Sequence, residues 1–319
     1  MSHRKLPMAV LLLLAMLTGC SGAGSTLPSK PSTTTQQHVK KPQDVLGGIG
    51  GLLNVMLGDA PPKIGSLVPS EIDLGVTSVG VVSDGTVHTL ATYSQPYMVN
   101  VLAAQTDPSS IGIGQYFSGS YQAVQFTFDA QSSHIVANGA NYPITFLASS
   151  ALSSAGAGST TSVSIANGSV TVTVNGNFMI GSDPAASIEA DFNALESLAQ
   201  TPDGSIVSRP TLFAVPYTEA GAITGTVTNS SGSPVTNATV AVIDADGHVA
   251  NTGNTDSTGS YSIHTLWAGN YHLVVYNVYT TATGQTLTAQ GNSSSAQSVD
   301  GPSITVNDQE TTQAPVIQD

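Results

Sequence analysis

The sequence predicts an all-β protein made of two β-sandwich-type domains. Short runs rich in Val, Ile, Thr and Tyr follow one another from residue 52 onward. Turn residues, chiefly Gly, Asn, Asp and Ser, separate these runs, and long stretches of helix formers are scarce. This combination is typical of all-β folds with many short strands. A chain of 319 residues has room for about two or three such domains.

The first predicted domain, residues 47–216, begins with a strand at 52–57 and continues with a hairpin. Runs at 74–82 and 87–91 flank Asp84-Gly85. That pair suits a two-residue hairpin turn, in which the central residues adopt positive φ angles. We therefore expect two antiparallel strands joined at this point.

A longer strand with one core face is predicted at residues 121–128, where apolar and polar side chains alternate. The face that we expect in the core consists of Gln122, Val124, Phe126 and Phe128. Asn138-Gly139 then predicts a hairpin return to a strand at 142–147.

Two Asn-Gly pairs predict a three-stranded meander further along the chain. Asn167-Gly168 and Asn175-Gly176 separate three β-rich runs within residues 162–180. Each pair suits a type I′ turn. A strand at 188–192 and a short helix at 193–200 follow. On that strand Glu189 and Asp191 alternate with apolar residues, so we expect both acids on a solvated face.

The second predicted domain, residues 221–318, consists of evenly spaced strands with turn residues in every gap. This spacing is typical of a Greek-key sandwich. The predicted strands are 223–228, 239–244, 260–264, 271–279, 303–306 and 311–317.

Several short motifs of this domain resemble the carboxypeptidase regulatory-like domain. They are Gly225-Thr226-Val227, Pro234 with Ala238-Thr239-Val240, Thr255-Asp256 with Gly259-Ser260-Tyr261, and Leu266 with Gly269-Asn270-Tyr271. The resemblance implies a transthyretin-like, non-catalytic sandwich of the carbohydrate-binding-like class. The chain departs from the family pattern at Trp267 and in a Ser-rich insert at 281–299.

The first domain is similar to an uncharacterised family of bacterial lipoprotein domains of unknown function. The similarity lies in Leu57-Gly58-Asp59-Ala60-Pro61, residues 97–102, Gly119-Ser120-Tyr121-Gln122, and residues 188–192 with Arg209-Pro210. Because that family has no assigned chemistry, the resemblance implies no catalytic or binding residue.

The N-terminus has the pattern of an export signal with a lipid-attachment site. Arg4 and Lys5 precede an apolar run at 8–17 that is too short to span a bilayer. Leu17-Thr18-Gly19-Cys20 resembles the bacterial lipobox. The resemblance implies cleavage of a 1–19 signal peptide and acylation, including palmitate, at Cys20.

We expect residues 20–46 to form a disordered tether, because Pro, Ser, Thr and Gln dominate and no apolar period appears. Ser21 after the cysteine implies the outer membrane by the sorting rule of that lipoprotein class. The expected location is thus the bacterial cell envelope, with the membrane as a partner through the lipid on Cys20. Cys20 is also the only cysteine, so the sequence excludes an internal disulfide and a cysteine-based metal site.

Charged residues are unusually rare. They make up 8% of the chain, whereas about 25% is usual in soluble domains. From residue 64 onward Arg209 is the only Lys or Arg, which excludes a basic nucleic-acid-binding surface. One hypothesis is adaptation to an acidic medium. Acid protonates the carboxylates, and a chain with few Lys and Arg residues then has little positive charge to repel itself. The alternative is drift towards a Thr/Ser/Asn surface.

The candidate ligand-binding residues are aromatic. We hypothesise that a glycan contacts Trp267, Tyr276 and Tyr279, because aromatic rings offer a large contact area at low entropic cost. A second candidate is a metal site at His264 and His272, which could lie near each other on adjacent strands. Two histidines without a third ligand do not predict such a site.

Asp244, Asp246 and Asp256 are candidate calcium ligands, because calcium prefers clustered carboxylate oxygens. This loop lacks the EF-hand pattern, so the sequence predicts no metal and no cofactor. The sequence also lacks the G-x-S-x-G, H-E-x-x-H and P-loop motifs.

The sequence therefore predicts a non-catalytic, membrane-anchored binding or scaffolding module of the envelope, with a glycan or an envelope protein as partner. An alternative is an accessory subunit or hydrolase that uses surface carboxylates. A further alternative is an assembly component whose sheet edges pair with another chain.

Overall fold

A computed structural model describes residues 47–58, 63–64, 67–104, 109–153, 160–182, 185–276, 280–281, 293–294 and 298–318. The predicted signal peptide and tether lie outside the described residues, as does Tyr279. The described residues belong to one compact unit, Lys41–Asp319. No helix in this part of the chain has the length and hydrophobicity that crossing a membrane requires.

The described chain is almost entirely β-structure, as the sequence predicts. The strands of the first domain are β1 (Gly47–Gly58), β2 (Lys63–Ile64), β3 (Pro69–Ser83), β4 (Thr86–Asn100), β5 (Ser109–Ala137), β6 (Ala140–Phe146), β7 (Ser149–Ser153), β8 (Thr160–Ala166), β9 (Ser169–Ile180), β10 (Ala185–Phe192), β11 (Leu198–Gln200), β12 (Ile206–Ser208) and β13 (Leu212–Pro216). A single helical turn, α1 (Ala194–Ser197), lies between β10 and β11, and a 3₁₀ turn (Tyr217–Glu219) follows β13.

The strands of the second domain are β14 (Gly221–Thr228), β15 (Thr239–Ile243), β16 (Val249–Asn254), β17 (Ser260–Leu266), β18 (Gly269–Tyr276), β19 (Thr280–Thr281), β20 (Ser293–Ser294), β21 (Ser298–Val306), β22 (Thr311–Gln313) and β23 (Ile317–Gln318). The sequence missed β16, because Ala250, Asn251 and Thr252 carry no clear apolar alternation.

One large sheet organises the first domain, with the order β11-β12-β6-β5-β1-β10-β13. The long strand β5 connects its parts: it pairs with β1 near its start, with β9 in its middle, and with β3 and β6. The inward faces of these strands enclose one apolar core, which includes Leu53, Val79, Phe126, Phe178 and Phe192.

The second domain consists of two facing sheets with the orders β17-β14-β22 and β16-β15-β18-β21. Its core is a separate apolar cluster that includes Ile223, Val240, Tyr261 and Leu273. This arrangement places β17 and β18 in different sheets, so His264 and His272 do not lie on adjacent strands as the sequence suggested.

The predicted hairpins form where Asn or Asp precedes Gly. Asp84, Asn138 and Asn167 have φ angles of 50°, 50° and 51°, and the glycine after each also has a positive φ. These are the angles that a type I′ turn requires. The hairpins β3–β4, β5–β6 and β8–β9 therefore close at the predicted positions.

The second Asn-Gly pair of the predicted meander does not form a turn. Asn175 and Gly176 lie inside β9, which continues to Ile180. The Asn175 amide donates to the Thr160 backbone oxygen at 3.2 Å. The ring of Phe178 covers Gly176 so closely that a Cβ atom there would lie 3.0 Å from Cζ. Tertiary packing thus overrides the local turn preference.

The predicted core face of residues 121–128 is wrong at one position. Val124, Phe126 and Phe128 are buried, but Gln122 is exposed and Tyr121 is buried instead. A register shift between Tyr121 and Ala123 in the β5–β9 pairing reverses the alternation there. The Gln122 side chain accepts a hydrogen bond from the Asp84 backbone N–H at 2.8 Å.

Two buried tyrosines tie their strands to nearby backbone. The Tyr121 hydroxyl donates to the Phe117 backbone oxygen at 2.6 Å, and the Tyr271 hydroxyl donates to the Trp267 backbone oxygen at 2.9 Å. Each bond ties a tyrosine to the backbone four residues upstream, which is the function of a tyrosine corner.

Gly225 in β14 tests how tightly the buried Tyr261 ring packs in the second domain. A Cβ atom there would overlap the Tyr261 hydroxyl oxygen, so Gly225→Ala forces the buried ring to move. We expect a loss of about 1–3 kcal/mol in the free energy of unfolding, measured by urea denaturation. Gly181→Ala is the matched control, because open space surrounds that position. An equal loss in both variants would contradict the packing explanation.

Candidate functional site at the junction of the two sandwiches

Strands β10 and β13 belong to the first domain but contribute to the contact with the second. Ile188 and Phe192 of β10 lie in the first core, and Phe213 of β13 lies in the second. Every residue of β13 is buried, and so is β10 from Ile188 to Phe192. These two strands therefore have no solvated face over that length.

This burial contradicts the expected solvated face of Glu189 and Asp191. Their side chains are only 9% and 6% exposed. Ile188, Ala190 and Phe192 do face the first core as the alternation predicts, but the second sandwich covers the opposite face, which a single domain would leave in water. The two acids consequently lie between the domains.

Glu189 contacts β17 of the second domain. The Thr265 hydroxyl donates to Glu189 Oε2 at 3.3 Å. Burial raises the pKa of Glu189, and this hydrogen bond lowers it by a smaller amount. Thr265 has a φ angle of 59°, a strained value for a β-branched residue, which shows that the surrounding contacts determine its conformation.

Asp191 faces β16 and has the drier environment. The Asn251 side chain hydrogen-bonds to the Asp191 carboxyl group, while Asp191 Oδ1 is buried without a hydrogen-bond partner. Burial raises the pKa of Asp191 to about 8, against the smaller lowering effect of Asn251. Asn251 also donates to the His264 backbone oxygen at 2.7 Å, so the same amide joins β16 to β17.

Glu196 of α1 is the third buried acid, with 5% exposure. The Val249 backbone hydrogen-bonds to this carboxyl group, whose Oε1 atom is buried without a partner. Burial is the main cause that raises its pKa to about 8, and Asp244 raises it further. Asn193, which caps α1, donates through its side chain to the Val249 backbone oxygen at 3.2 Å.

A small polar cleft opens beside Glu189, with a volume of about 160 Å³. Its lining includes Glu189, Tyr217, His264, Thr265 and Glu310. Burial lowers the pKa of His264, which favours the neutral imidazole. Its Nε2 atom lies 2.8 Å from the Ser262 hydroxyl.

The acids of the cleft already have structural partners. Glu189 accepts from Thr265, and Glu310 Oε2 accepts from the Asn307 side chain at 2.9 Å.

The candidate aromatic residues lie apart from this cleft's lining. Trp267 packs against the first core, with its ring centroid 6.5 Å from that of Phe178, and its Nε1 atom is buried. One side of the indole is therefore occupied by the neighbouring domain. Tyr276 is half-buried on β18, and burial, followed by the nearby Asp300, raises its pKa. The glycan contact stays a prediction.

The candidate calcium ligands are separated between two turns. Ligand atoms of Asp244, Asp246 and His248 lie within 4.8 Å of one another. Asp244 Oδ1 accepts from the backbone N–H groups of Asp246 and His248, which is an ordinary turn arrangement. Asp256 instead accepts from Thr258 and Ser260 in its own turn, which lowers its pKa.

Comparison with known proteins identifies the second sandwich. Residues 222–314 match the carboxypeptidase regulatory-like domain family. This segment is a carboxypeptidase regulatory-like domain. The match confirms the prediction made from the motifs of strands β14 to β18. A search of curated protein sequences returned no match.

Among solved structures, the chain is similar to BcpA, the major pilin subunit of Bacillus cereus, with 12% identity, 84% coverage of this chain, 98% of that chain and a TM-score of 0.23. The shaft pilin SpaA from Lactobacillus rhamnosus GG has 11% identity, 84% and 96% coverage and a TM-score of 0.22. The Bacillus anthracis TIE protein has 8% identity, 82% and 38% coverage and a TM-score of 0.23. At these scores the similarities add nothing to the β-architecture already described.

Trp267 tests whether the regulatory-like domain is packed against the first domain as described. Trp267→Ala removes the contact with Phe178, so we expect a loss on the order of 2 kcal/mol in the free energy of unfolding. Urea denaturation followed by circular dichroism measures it. Val316→Ala, at a position 64% exposed, should change stability by less than about 0.5 kcal/mol. A Trp267→Ala variant as stable as wild type would exclude a packing role.

Proposed function

We propose that the protein is a lipid-anchored, non-catalytic binding or scaffolding module of the bacterial cell envelope. The observation that carries this proposal is the carboxypeptidase regulatory-like domain at residues 222–314. The resemblance implies a sandwich without catalysis. The partners Thr265 and Asn307, which hold the two acids of the cleft, support the same conclusion.

The junction explains how the two sandwiches present a surface together. Phe213 lies in the core of the second domain, and Trp267 packs against the core of the first. While the junction is closed, contacts of this kind in both directions hold the loops of the two domains in one mutual orientation. The tether at 20–46 would allow the two domains to extend away from the membrane. Their partner would be a glycan or an envelope protein.

Anchoring is tested by Cys20→Ser, which removes the thiol that lipidation requires. We expect the protein to move from the membrane fraction to the soluble fraction of lysed cells, because the acyl chains supply the membrane affinity. Ser25→Ala, in the predicted tether, is the control and should stay in the membrane fraction. Cys20→Ser that remains in the membrane fraction would contradict a lipid anchor.

Glycan recognition is tested by array binding of the wild type and of Tyr276→Ala. Stacking on the exposed part of the ring should make the variant bind at least several-fold more weakly. Tyr217→Ala, at an exposed position on the 3₁₀ turn, is the matched control and should bind normally. Binding that survives Tyr276→Ala and Trp267→Ala unchanged would remove both residues from the proposed site. Crosslinking in intact cells, with recovery of one envelope protein, would favour the scaffolding form.

The edge of β4 favours a second candidate function, assembly through strand pairing. Within the described residues this 15-residue strand pairs with β3 alone. Pro96 and irregular pairings at Val76/Ser78 and Val79/Gly80 interrupt the strand, so its continuous edge segment is 86–89.

Thr89→Lys tests this candidate, because a charge on the exposed edge opposes pairing with another strand. If the edge pairs, Thr89→Lys should reduce crosslinked assemblies in intact cells. Ser94→Lys, within the irregular segment, should leave them unchanged. Equal crosslinking in wild type and Thr89→Lys would exclude this edge.

A further inference from the structure

The junction between the domains buries three acids beside its apolar contacts. Glu189 and Asp191 come from β10, and Glu196 comes from the helical turn after it. All three side chains are at least nine-tenths buried. Their partners on the second domain are Thr265, Asn251 and the backbone of Val249, and all three partners are neutral.

Among the described residues, no charge of opposite sign is a cause that shifts the pKa of any of these three acids. Asp244 faces Glu196 and is itself acidic, and His248 Nδ1 lies 3.8 Å from the Asp244 carboxylate. Glu310 and His264 share the cleft with Glu189. Arg209, the one arginine in this part of the sequence, donates its backbone N–H to Ser197 beside Glu196. Burial is the largest cause that shifts the pKa of each of the three acids, and it raises all three values.

An ionised carboxylate is costly in such a site. Asp191 Oδ1 and Glu196 Oε1 have no hydrogen-bond partner and are shielded from water. A protonated carboxyl group tolerates this environment, whereas a carboxylate needs donors or cations to replace its hydration. Separation of the two domains would return these oxygens to water.

We propose that the junction is a proton-dependent latch: the regulatory-like domain docks on β10 while the buried acids are protonated, and their ionisation releases it. Most residues of each sandwich pack in that sandwich's own apolar cluster, so each domain can keep its core on release. Release would withdraw Phe213 from the second core and break the pairing of β2 with β19. The proposal is independent of the partner that the loops bind.

The direction of the pH effect follows from linkage. The pKa values of Asp191 and Glu196 are about 8 in the closed junction, and they return to about 4 in water. The closed state therefore holds more protons, and it is favoured most strongly below about pH 4. The opening constant should rise about tenfold per pH unit for each of these acids until about pH 8, and then level off.

Trp267 is a built-in reporter, because it is the only tryptophan and packs across the junction against Phe178. In urea titrations of the full chain, we expect the Trp267 emission to shift to the red at lower urea at pH 8 than at pH 5. Circular dichroism should show the β-structure persisting beyond that point.

The double variant Asp191→Asn with Glu196→Gln keeps the shape of both side chains but cannot ionise. It should lose most of the difference in midpoint between pH 5 and pH 8. Asp84→Asn is the matched control, because it removes an exposed acid from a hairpin turn and should keep the wild-type difference. A double variant with the wild-type pH dependence would overturn the proposal.

Small-angle scattering of the wild type provides a measurement that does not depend on the variants folding. In urea just below the unfolding transition, the radius of gyration should be larger at pH 8 than at pH 5. Equal Trp267 midpoints and equal radii at both pH values would overturn the latch.

Discussion

The two-sided burial of β10 is the constraint on which the rest of the structure depends. A strand at the surface of a sandwich has one apolar face and one wet face. In this protein Ile188 and Phe192 contribute to one core, while Glu189 and Asp191 face the second domain. The strand next to it, β13, sends Phe213 into the second core. Because these strands serve both domains, any change in the junction alters the surroundings of both cores.

The same constraint explains what the sequence could and could not predict. Hairpins at Asp84, Asn138 and Asn167 follow from local chemistry, since a positive φ is needed at each turn and the residues allow it. Asn175-Gly176 has equal turn chemistry, but the Phe178 ring and the Thr160 backbone hold it in an extended strand. Those contacts come from residues that are distant in the chain or depend on the final packing, so no local pattern reveals them.

The candidate site was harder to predict than the fold for a related reason. The alternation of Glu189 and Asp191 with apolar residues is the pattern of an exposed strand face. Nothing within β10 distinguishes a face covered by water from a face covered by another domain. The distinguishing groups, Thr265 and Asn251, lie about 60 residues or more further along the chain and become relevant only once the second sandwich docks. Asn251 lies in β16, the strand that the sequence analysis missed.

The scarcity of positive charge gives these buried acids their chemical character. In the described chain the basic partner of Asp73, of Asp244 and of Asp300 is a histidine. Buried acids that have only neutral partners stay uncharged in acid. The closed junction is therefore more compatible with acid than with alkali, which is in line with the acidic-medium hypothesis.

The choice of acids over amides at the junction is the last step of this reasoning. Asparagine and glutamine have nearly the same shapes as Asp191 and Glu196, and they would fill the same space without ever becoming charged. An amide junction would therefore hold at every pH, whereas the carboxyl junction holds only while protons are available. The acids cost stability at neutral pH relative to such amides, because ionisation competes with burial. In return they make a contact between the two domains sensitive to the pH of the surrounding medium.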